Sequence, residues 1–259
     1  MVRVILDVDT GIDDAMALLL AARHPQLDLL AVTCVAGNAG LDDVVRNTLT
    51  VLQVCGRGDV PVASGSARPL LGPTGEPRLA HGIDGMGDLG WPGPKVHADP
   101  RHAVELLRDT LLDAARERRP ATLACLAPLT NVALLLRTWP DAAAGLDHIV
   151  VVGGSFGFGG SDAVAEFNVG HDPEAAAMVL AASTELGISL TVYPLDVFFA
   201  PTVTRTDAHE LVCRGARSAA ELAGRLVTFQ CDRFGAPAAT IGDAGAVCAV
   251  VDPDGLTTE

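Results

Sequence analysis

Four carboxylates stand within eight residues near the N-terminus, in Asp7-Val8-Asp9-Thr10-Gly11-Ile12-Asp13-Asp14. An apolar run, Val2 to Leu6, leads into them, and a segment with helical character, Asp13 to Arg23, follows. A strand end, a sharp turn and a helix start therefore meet at one acidic point. Asp7 and Asp9 are two residues apart, so they share one side of an extended segment. Asp13 and Asp14 open the helix, where the positive end of its dipole favours anions. Gly11 permits the turn between them. Capping a helix uses one or two acids, not four. Four acids close together in a low dielectric repel one another. A hard divalent cation with oxygen ligands, Ca²⁺ or Mg²⁺, relieves that repulsion.

The rest of the chain continues the alternation. Leu27 to Val35 is a second apolar run, Asp42 to Val54 a helix, and Val60 to Val62 a short third strand. From Ser64 to Asp99 glycines and prolines break the pattern, as in a lid or binding loop. Regularity returns with a helix from about His102 to Arg118, a strand from Ala121 to Leu126 and a helix after Thr130. His148 to Val152 is a strand, and Pro173 to Thr184 a helix capped by Asp172 with proline at its first position. Ile188 to Val192 is the next strand, and Thr206 to Arg233 is mostly helical. Strands alternating with helices imply an α/β fold, a mainly parallel central sheet with helices on both faces. No linker or internal repeat divides residues 1–259, so one domain is expected. In such sheets ligands sit beyond the carboxyl ends of the strands.

Composition narrows the partners. Lys plus Arg number 18 against 32 Asp plus Glu, a net charge of −14. That balance argues against nucleic acid, which needs a basic surface. The six cysteines form no CxxC pair and lie mostly in apolar runs, as reduced buried thiols do. No apolar run reaches the ~18–20 residues of a membrane span, and the first residues do not resemble a signal peptide. A cytoplasmic protein with no membrane partner is expected.

Other polar residues fall at strand ends. Asn38 follows Val35-Ala36-Gly37, Thr130 and Asn131 follow Leu126-Ala127-Pro128-Leu129, and Glu166 and Asn168 precede His171-Asp172-Pro173. Each alone is open to a turn or cap reading. Together they lie where the fold rule puts a ligand.

With these segments in order, DVDTGIDDAMAL, VAGNAG, LAPLTNVA, VGG and AEFNVGHDPEAA, the chain resembles the inosine-uridine preferring nucleoside N-ribohydrolases and their relatives, from residue 2 to about 255. The resemblance implies hydrolysis of the N-glycosidic bond of ribonucleosides to free base and ribose, with a bound Ca²⁺. It implies calcium ligands at Asp9, Asp14, the carbonyl of Thr130, and Asp243. Asp9 would be the general base that activates a calcium-bound water. Asp13, Asn38, Glu166, Asn168 and Asp243 would hold the ribose, and His81, in a loop histidine-glycine pair, would lie near the substrate. It also implies a homodimer or homotetramer. These residue types suit an oxocarbenium-like transition state, a carboxylate base and a polyol ligand.

The chain departs from that family in three places. Gly242 stands where the inosine-uridine group has a histidine proposed as the acid for the leaving base. His81, Trp91, Tyr193, Phe198 and Phe229 are then the nearby candidates for base contacts. Gly160 stands where the family often has an asparagine for the ribose 5′-hydroxyl, with Asp162 as a possible substitute. The chain is also short at its C-terminal end, so closing strands and a final helix of the family are expected to be missing.

Two other readings compete. Asp7-Val8-Asp9-Thr10 and its flank fit the D-x-D-x-T motif of haloacid dehalogenase-type phosphatases, with Asp7 as nucleophile and Mg²⁺ assisting. That chemistry wants a later lysine, and the one lysine, Lys95, lies in a glycine-proline loop. The other reading is a calcium-containing riboside-binding homologue that has lost turnover.

Overall fold

A computed structural model of the protein describes residues 1–72, 79–157 and 165–255. Strands β1 (Val2–Val8), β2 (Leu27–Cys34), β3 (Val62–Ser64), β4 (Ala121–Cys125), β5 (Leu146–Val152) and β6 (Ser189–Tyr193) form one sheet. Their order is β3-β2-β1-β4-β5-β6, and every pairing is parallel. Chain direction across the sheet reverses between β1 and β4. Connections run away on opposite sides there and leave a crevice at the strands' carboxyl ends.

The expected alternation of strand and helix is what folds. The main helices between strands are α1 (Ile12–Arg23), α2 (Leu41–Val54), α3 (Ala103–Arg116) and α4 (Thr130–Thr138). The short α5 (Phe167–His171) and the longer α6 (Pro173–Leu186) follow. Alternate residues of β1 serve opposite faces, as the period of a strand requires. Val4, Leu6 and Val8 pack with α1 and α2, whereas Ile5 packs with α3, α4 and α6. Burial on both faces explains the continuous apolar run Ile149 to Val152, of which no residue exceeds 4 % exposure.

Three boundaries differ from the sequence reading. The third strand starts at Val62 rather than Val60, because Pro61 has no N–H for the ladder and offers only its carbonyl, to Val32 N. The helical C-terminal stretch is two helices, α8 (Arg205–Cys213) and α9 (Ala219–Phe234), separated by a turn with Arg217 at φ 55°. A further helix, α10 (Gly242–Val251), carries two glycines and several valines and gives little sign of itself in the sequence. The four-residue α7 (Leu195–Phe198) and a two-stranded ribbon of β7 (Thr202–Thr204) and β8 (Ala238–Thr240) complete the described fold. No helix among the described residues is long and apolar enough to cross a membrane.

Candidate functional site

The acidic motif folds as its spacing requires. β1 ends at Val8, Gly11 caps α1, and Asp13 and Asp14 occupy the first turn of that helix. The Asp14 carboxylate reaches back to accept from Gly11 N at 3.0 Å and from Asp9 N at 3.3 Å. A Cβ on Gly11 would stand 2.8 Å from Asn38 Nδ2 and 2.9 Å from His81 Nδ1, so a side chain there is excluded by the site itself.

Asn38, on the loop after β2, ties two acids together. Its backbone N donates to Asp9 Oδ2 at 2.7 Å, and its Nδ2 donates to Asp9 Oδ1 at 3.1 Å and to Asp14 Oδ2 at 3.2 Å. Asp243, in the first turn of α10, comes in from the far end of the chain. Carboxylate oxygens of Asp13, Asp14 and Asp243 lie within 4.8 Å of one another. Asp9, Asp14 and Asp243 are buried.

Glu166 and Asn168 arrive on a rigid mount. Glu166 caps α5, accepting from the backbone N–H of Asn168, Val169 and Gly154 at 2.9 to 3.2 Å. Asn168 Nδ2 donates to the carbonyls of Leu126 and Val152, bridging the ends of β4 and β5. That leaves Oδ1 of Asn168 for a ligand. His81 stands beside Asp13 at 3.8 Å, and its Nδ1 accepts from Ile12 N at 3.1 Å.

These groups open onto a cavity of about 400 Å³. Asp13, Asn38, His81, Glu166, Asn168 and Asp243 line its polar wall. Phe198, Phe199, Gln230 and Phe234, from α7 and α9 and the residue between α7 and β7, give an apolar wall together with alanines around β8.

Burial and mutual repulsion make ionisation of Asp9, Asp14 and Asp243 harder than for ordinary carboxylates. Asp14 is pushed up to about 7 by burial and by Asp13. Asp9 is raised by burial and then by Asp14, and Asp243 by burial and then by Asp13, Asp14 and Asp9. Burial also raises Glu166, against the pull of its backbone donors. An all-oxygen set of converging carboxylates, unfavourable when ionised alone, is the donor chemistry of a hard divalent cation. The residues fit such an ion.

Of the residues singled out from the sequence, Asp9, Asp13, Asp14, Asn38, His81, Glu166, Asn168 and Asp243 are brought together here. Thr130 is not. It is the first residue of α4, so its carbonyl is directed along the helix. Its hydroxyl donates to Asp172 Oδ2 at 2.6 Å. The cavity is lined instead by Leu126, just past the end of β4. Asp7 is also apart from the cavity. It is fully buried, accepts from Thr33 Oγ1 and Asn131 Nδ2, and has no geometry for a phosphatase nucleophile. Among the proposed base contacts, Phe198 lines the cavity, whereas Phe229 lines a separate cleft and Trp91 packs, partly buried, against the core. Tyr193 is buried beside Gly245. Gly160 and Asp162 lie outside the described residues. Leu126, Phe199, Gln230 and Phe234 had no place in the sequence reading. The one available signal was the i, i+4 spacing of Gln230 and Phe234, which puts both on one face of α9.

The sequence pattern described as "Inosine-uridine preferring nucleoside hydrolase" matches residues 4–259. A protein of that description from Crithidia fasciculata is 37 % identical over 262 residues, which cover 99 % of this chain and 81 % of the relative. The non-specific ribonucleoside hydrolase RihC of Salmonella paratyphi B is 40 % identical over 184 residues, 71 % of this chain and 59 % of that protein. Among solved structures, a purine-preferring ribonucleoside hydrolase from Gardnerella vaginalis superposes with a TM-score of 0.90 at 25 % identity, covering 99 % of this chain and 82 % of the other. A plant nucleoside hydrolase superposes with a TM-score of 0.86 at 28 % identity, covering 98 % and 80 %.

Proposed function

The chain belongs to the family of inosine-uridine preferring nucleoside hydrolases, and from that premise we propose that it hydrolyses the N-glycosidic bond of ribonucleosides with Asp9 as the general base and calcium as its metal. The observation that carries this reading is the meeting of Asp13, Asp14 and Asp243 within 4.8 Å of one another, beside an aromatic chamber at the switch point of the sheet. Asp9, Asp14 and Asp243 would hold the ion, Asn38 ties Asp9 to Asp14, and Asp13 stands close enough to Asp14 and Asp243 to join them. Leu126 lines the cavity and Thr130 does not, so we assign the backbone oxygen of the set to Leu126 in place of Thr130. A hard cation held by these residues would supply the positive charge that lets the carboxylates ionise and would offer Lewis acidity to a water and to the ribose diol.

The chain's own groups do the rest. Asp9 takes the proton of the attacking water, and Asn38 holds both oxygens of that carboxylate in place. Asn38, Asp13, Glu166 and Asn168 offer acceptors and donors to the ribose hydroxyls, and His81 stands beside Asp13 to join them. The concentration of negative charge along this wall stabilises the positive charge that develops on the sugar as the bond breaks. Water attacks without a covalent enzyme intermediate, so the anomeric carbon is inverted. By the same resemblance it would act as a homodimer or homotetramer on a small-molecule substrate, and its free cysteines suit a reducing compartment such as the cytoplasm.

Incubation with inosine, uridine, cytidine and adenosine, followed by assay of free ribose with and without chelator, tests the reading. Release that is lost on chelation and restored by Ca²⁺ supports it. No release from any nucleoside sinks it in favour of a riboside-binding homologue. Asp9→Ala should remove turnover, and a variant that keeps most of its activity would show that the base lies elsewhere.

A further inference from the structure

One buried amide beside the site takes no part in the proposed chemistry. Asn47, on α2, is 3 % exposed. Its Nδ2 donates to two backbone carbonyls from separate parts of the chain, that of Thr10 at 3.2 Å and that of Asp84 at 2.8 Å. Both N–H groups of the amide are thereby used, since a carboxamide nitrogen carries two. Its Oδ1 accepts from Arg46 Nη2 at 3.2 Å. Thr10 lies in the acidic turn between Asp9 and Gly11, and Asp84 lies in the loop that begins at His81.

That loop is bonded to itself. Gly82, Gly85 and Gly87 have φ of 85°, 77° and 72°, and Asp88 has 51°, a left-handed backbone that glycine supplies readily. Asp84 Oδ1 accepts from Met86 N at 2.7 Å and Asp88 N at 3.0 Å, and Asp88 Oδ1 accepts from Ile83 N at 2.9 Å and Asp84 N at 3.0 Å. Gly87 N donates to His81 O at 2.7 Å. Residues 81–88 therefore shift together, and the place of the His81 ring depends on how the loop is fastened. Met86 is buried in the core. His81 Nδ1 accepts from Ile12 N, so the donor of this cavity-lining ring is Nε2–H. Between these two points Asn47 holds the Asp84 carbonyl, which the exposed Arg46 reaches at 3.4 Å. The acidic turn has other ties: Thr10 Oγ1 meets Thr48 Oγ1 at 2.6 Å, and Gly11 N donates to Asp14 Oδ2 at 3.0 Å. Loss of the Asn47 donors thus frees the loop more than the turn.

We infer that Asn47 is a positioning residue for the reaction: by tying the Thr10 and Asp84 carbonyls to α2 it sets the His81 ring against the acidic turn before substrate arrives. The inference rests on the hydrolase reading given above, in which His81 joins the groups that hold the ribose. Asn47 stands outside the cavity lining and acts through the loop. A ring held in place in advance needs no ordering when substrate binds, whereas a loosened loop is ordered at the expense of binding energy.

The test is a double-mutant cycle in saturating Ca²⁺ with inosine as substrate, comparing Asn47→Asp, His81→Ala and the double variant with the intact chain. Asn47→Asp keeps the shape of the side chain and removes its N–H donors. It should raise KM ~10-fold and leave kcat within about threefold. In the His81→Ala background the same substitution should change KM by less than about twofold, because the group it positions is gone. Gly85→Ala would set a Cβ 3.0 Å from Ala39 Cβ and 3.1 Å from Asn47 Nδ2 at a left-handed φ. It should reproduce the rise in KM with the amide intact, and it carries the cycle if Asn47→Asp does not fold. Melting temperatures show which variants are folded. Lower stability with KM unchanged, or an equal rise in KM in both backgrounds, would overturn the inference. So would an unchanged KM in His81→Ala, since there would be nothing to position. If the intact chain releases no ribose, the hydrolase reading fails, and the same cycle read as inosine affinity by calorimetry decides the role of Asn47. No inosine affinity in the intact chain would overturn both.

Discussion

The metal-free protein is expected to lose stability as the pH is raised from about 5 to about 8, and Asp14 should account for most of a defined part of that loss. Asp14 titrates at about 7 in the folded chain against 3.8 as the ordinary value. The folded state therefore binds its proton more tightly than the unfolded state does. The resulting stabilisation is complete below the unfolded value and is lost as the pH rises towards the folded one. Each pKa unit is worth about 1.4 kcal/mol. Between pH 5 and 7 Asp14 alone contributes a loss of ~2 kcal/mol, a sizeable part of the ~5–15 kcal/mol that holds a domain together. Asp7, raised to about 6 by burial, adds ~1 kcal/mol in the same direction over the lower part of the window. His148 and His171, held below the ordinary histidine value by burial, act in the opposite sense. The informative quantity is thus the difference in slope between the wild type and Asp14→Asn. Urea denaturation in chelator across this pH range measures both. The wild type should lose ~2 kcal/mol more than Asp14→Asn between pH 5 and 7, and a saturating divalent cation should abolish the difference by binding only the folded, ionised site. Parallel slopes for the two proteins would refute the reasoning.

Other substitutions separate the site from its scaffold. Gly37→Ala would place a methyl group on Asp9 Oδ2, so ribose release should fall at least ~100-fold, as misplacement of a reacting group by a fraction of an ångström to one ångström does, and steady-state kinetics would show it. Thr130→Val removes the donor to the buried Asp172 Oδ2 while Leu70 N still donates to it. It should cost ~1–3 kcal/mol of stability and leave kcat and Ca²⁺ affinity within about twofold. A collapse of metal affinity in Thr130→Val would return that residue to the metal site.

What could be seen in the sequence follows from how local each feature is. The acidic cluster was legible because strand, turn and helix start are consecutive, so period and capping rules apply within one short segment. The parallel sheet was legible because its central strands are buried on both faces and read as unbroken apolar runs. Asp172 was legible as a cap because the proline after it marks the helix start, and the structure has Ala175 N donating to it at 3.0 Å. Asn38 and Asn168 entered through their places after strands and through family resemblance. Neither route could show that Asn38 bonds both Asp9 and Asp14 across the turn. The position of Thr130 away from the cavity wall was visible only in three dimensions. β4 stops at Cys125 and α4 starts at Thr130, so four residues of loop decide which carbonyl meets the cavity. The aromatic wall was hidden more deeply. Phe198 closes a four-residue helix, Phe199 follows it, and Phe234 ends α9 some 35 residues later. No periodicity links such residues, because what joins them is the tertiary packing of α7 and α9 around one cavity. Gly242 shows the limit most clearly. Read alone it is a missing side chain, whereas beside Phe198 it is the condition for that ring to be where it is. A substitution at either position must therefore be judged with the other, because any side chain at 242 displaces the ring and removal of the ring opens the space at 242.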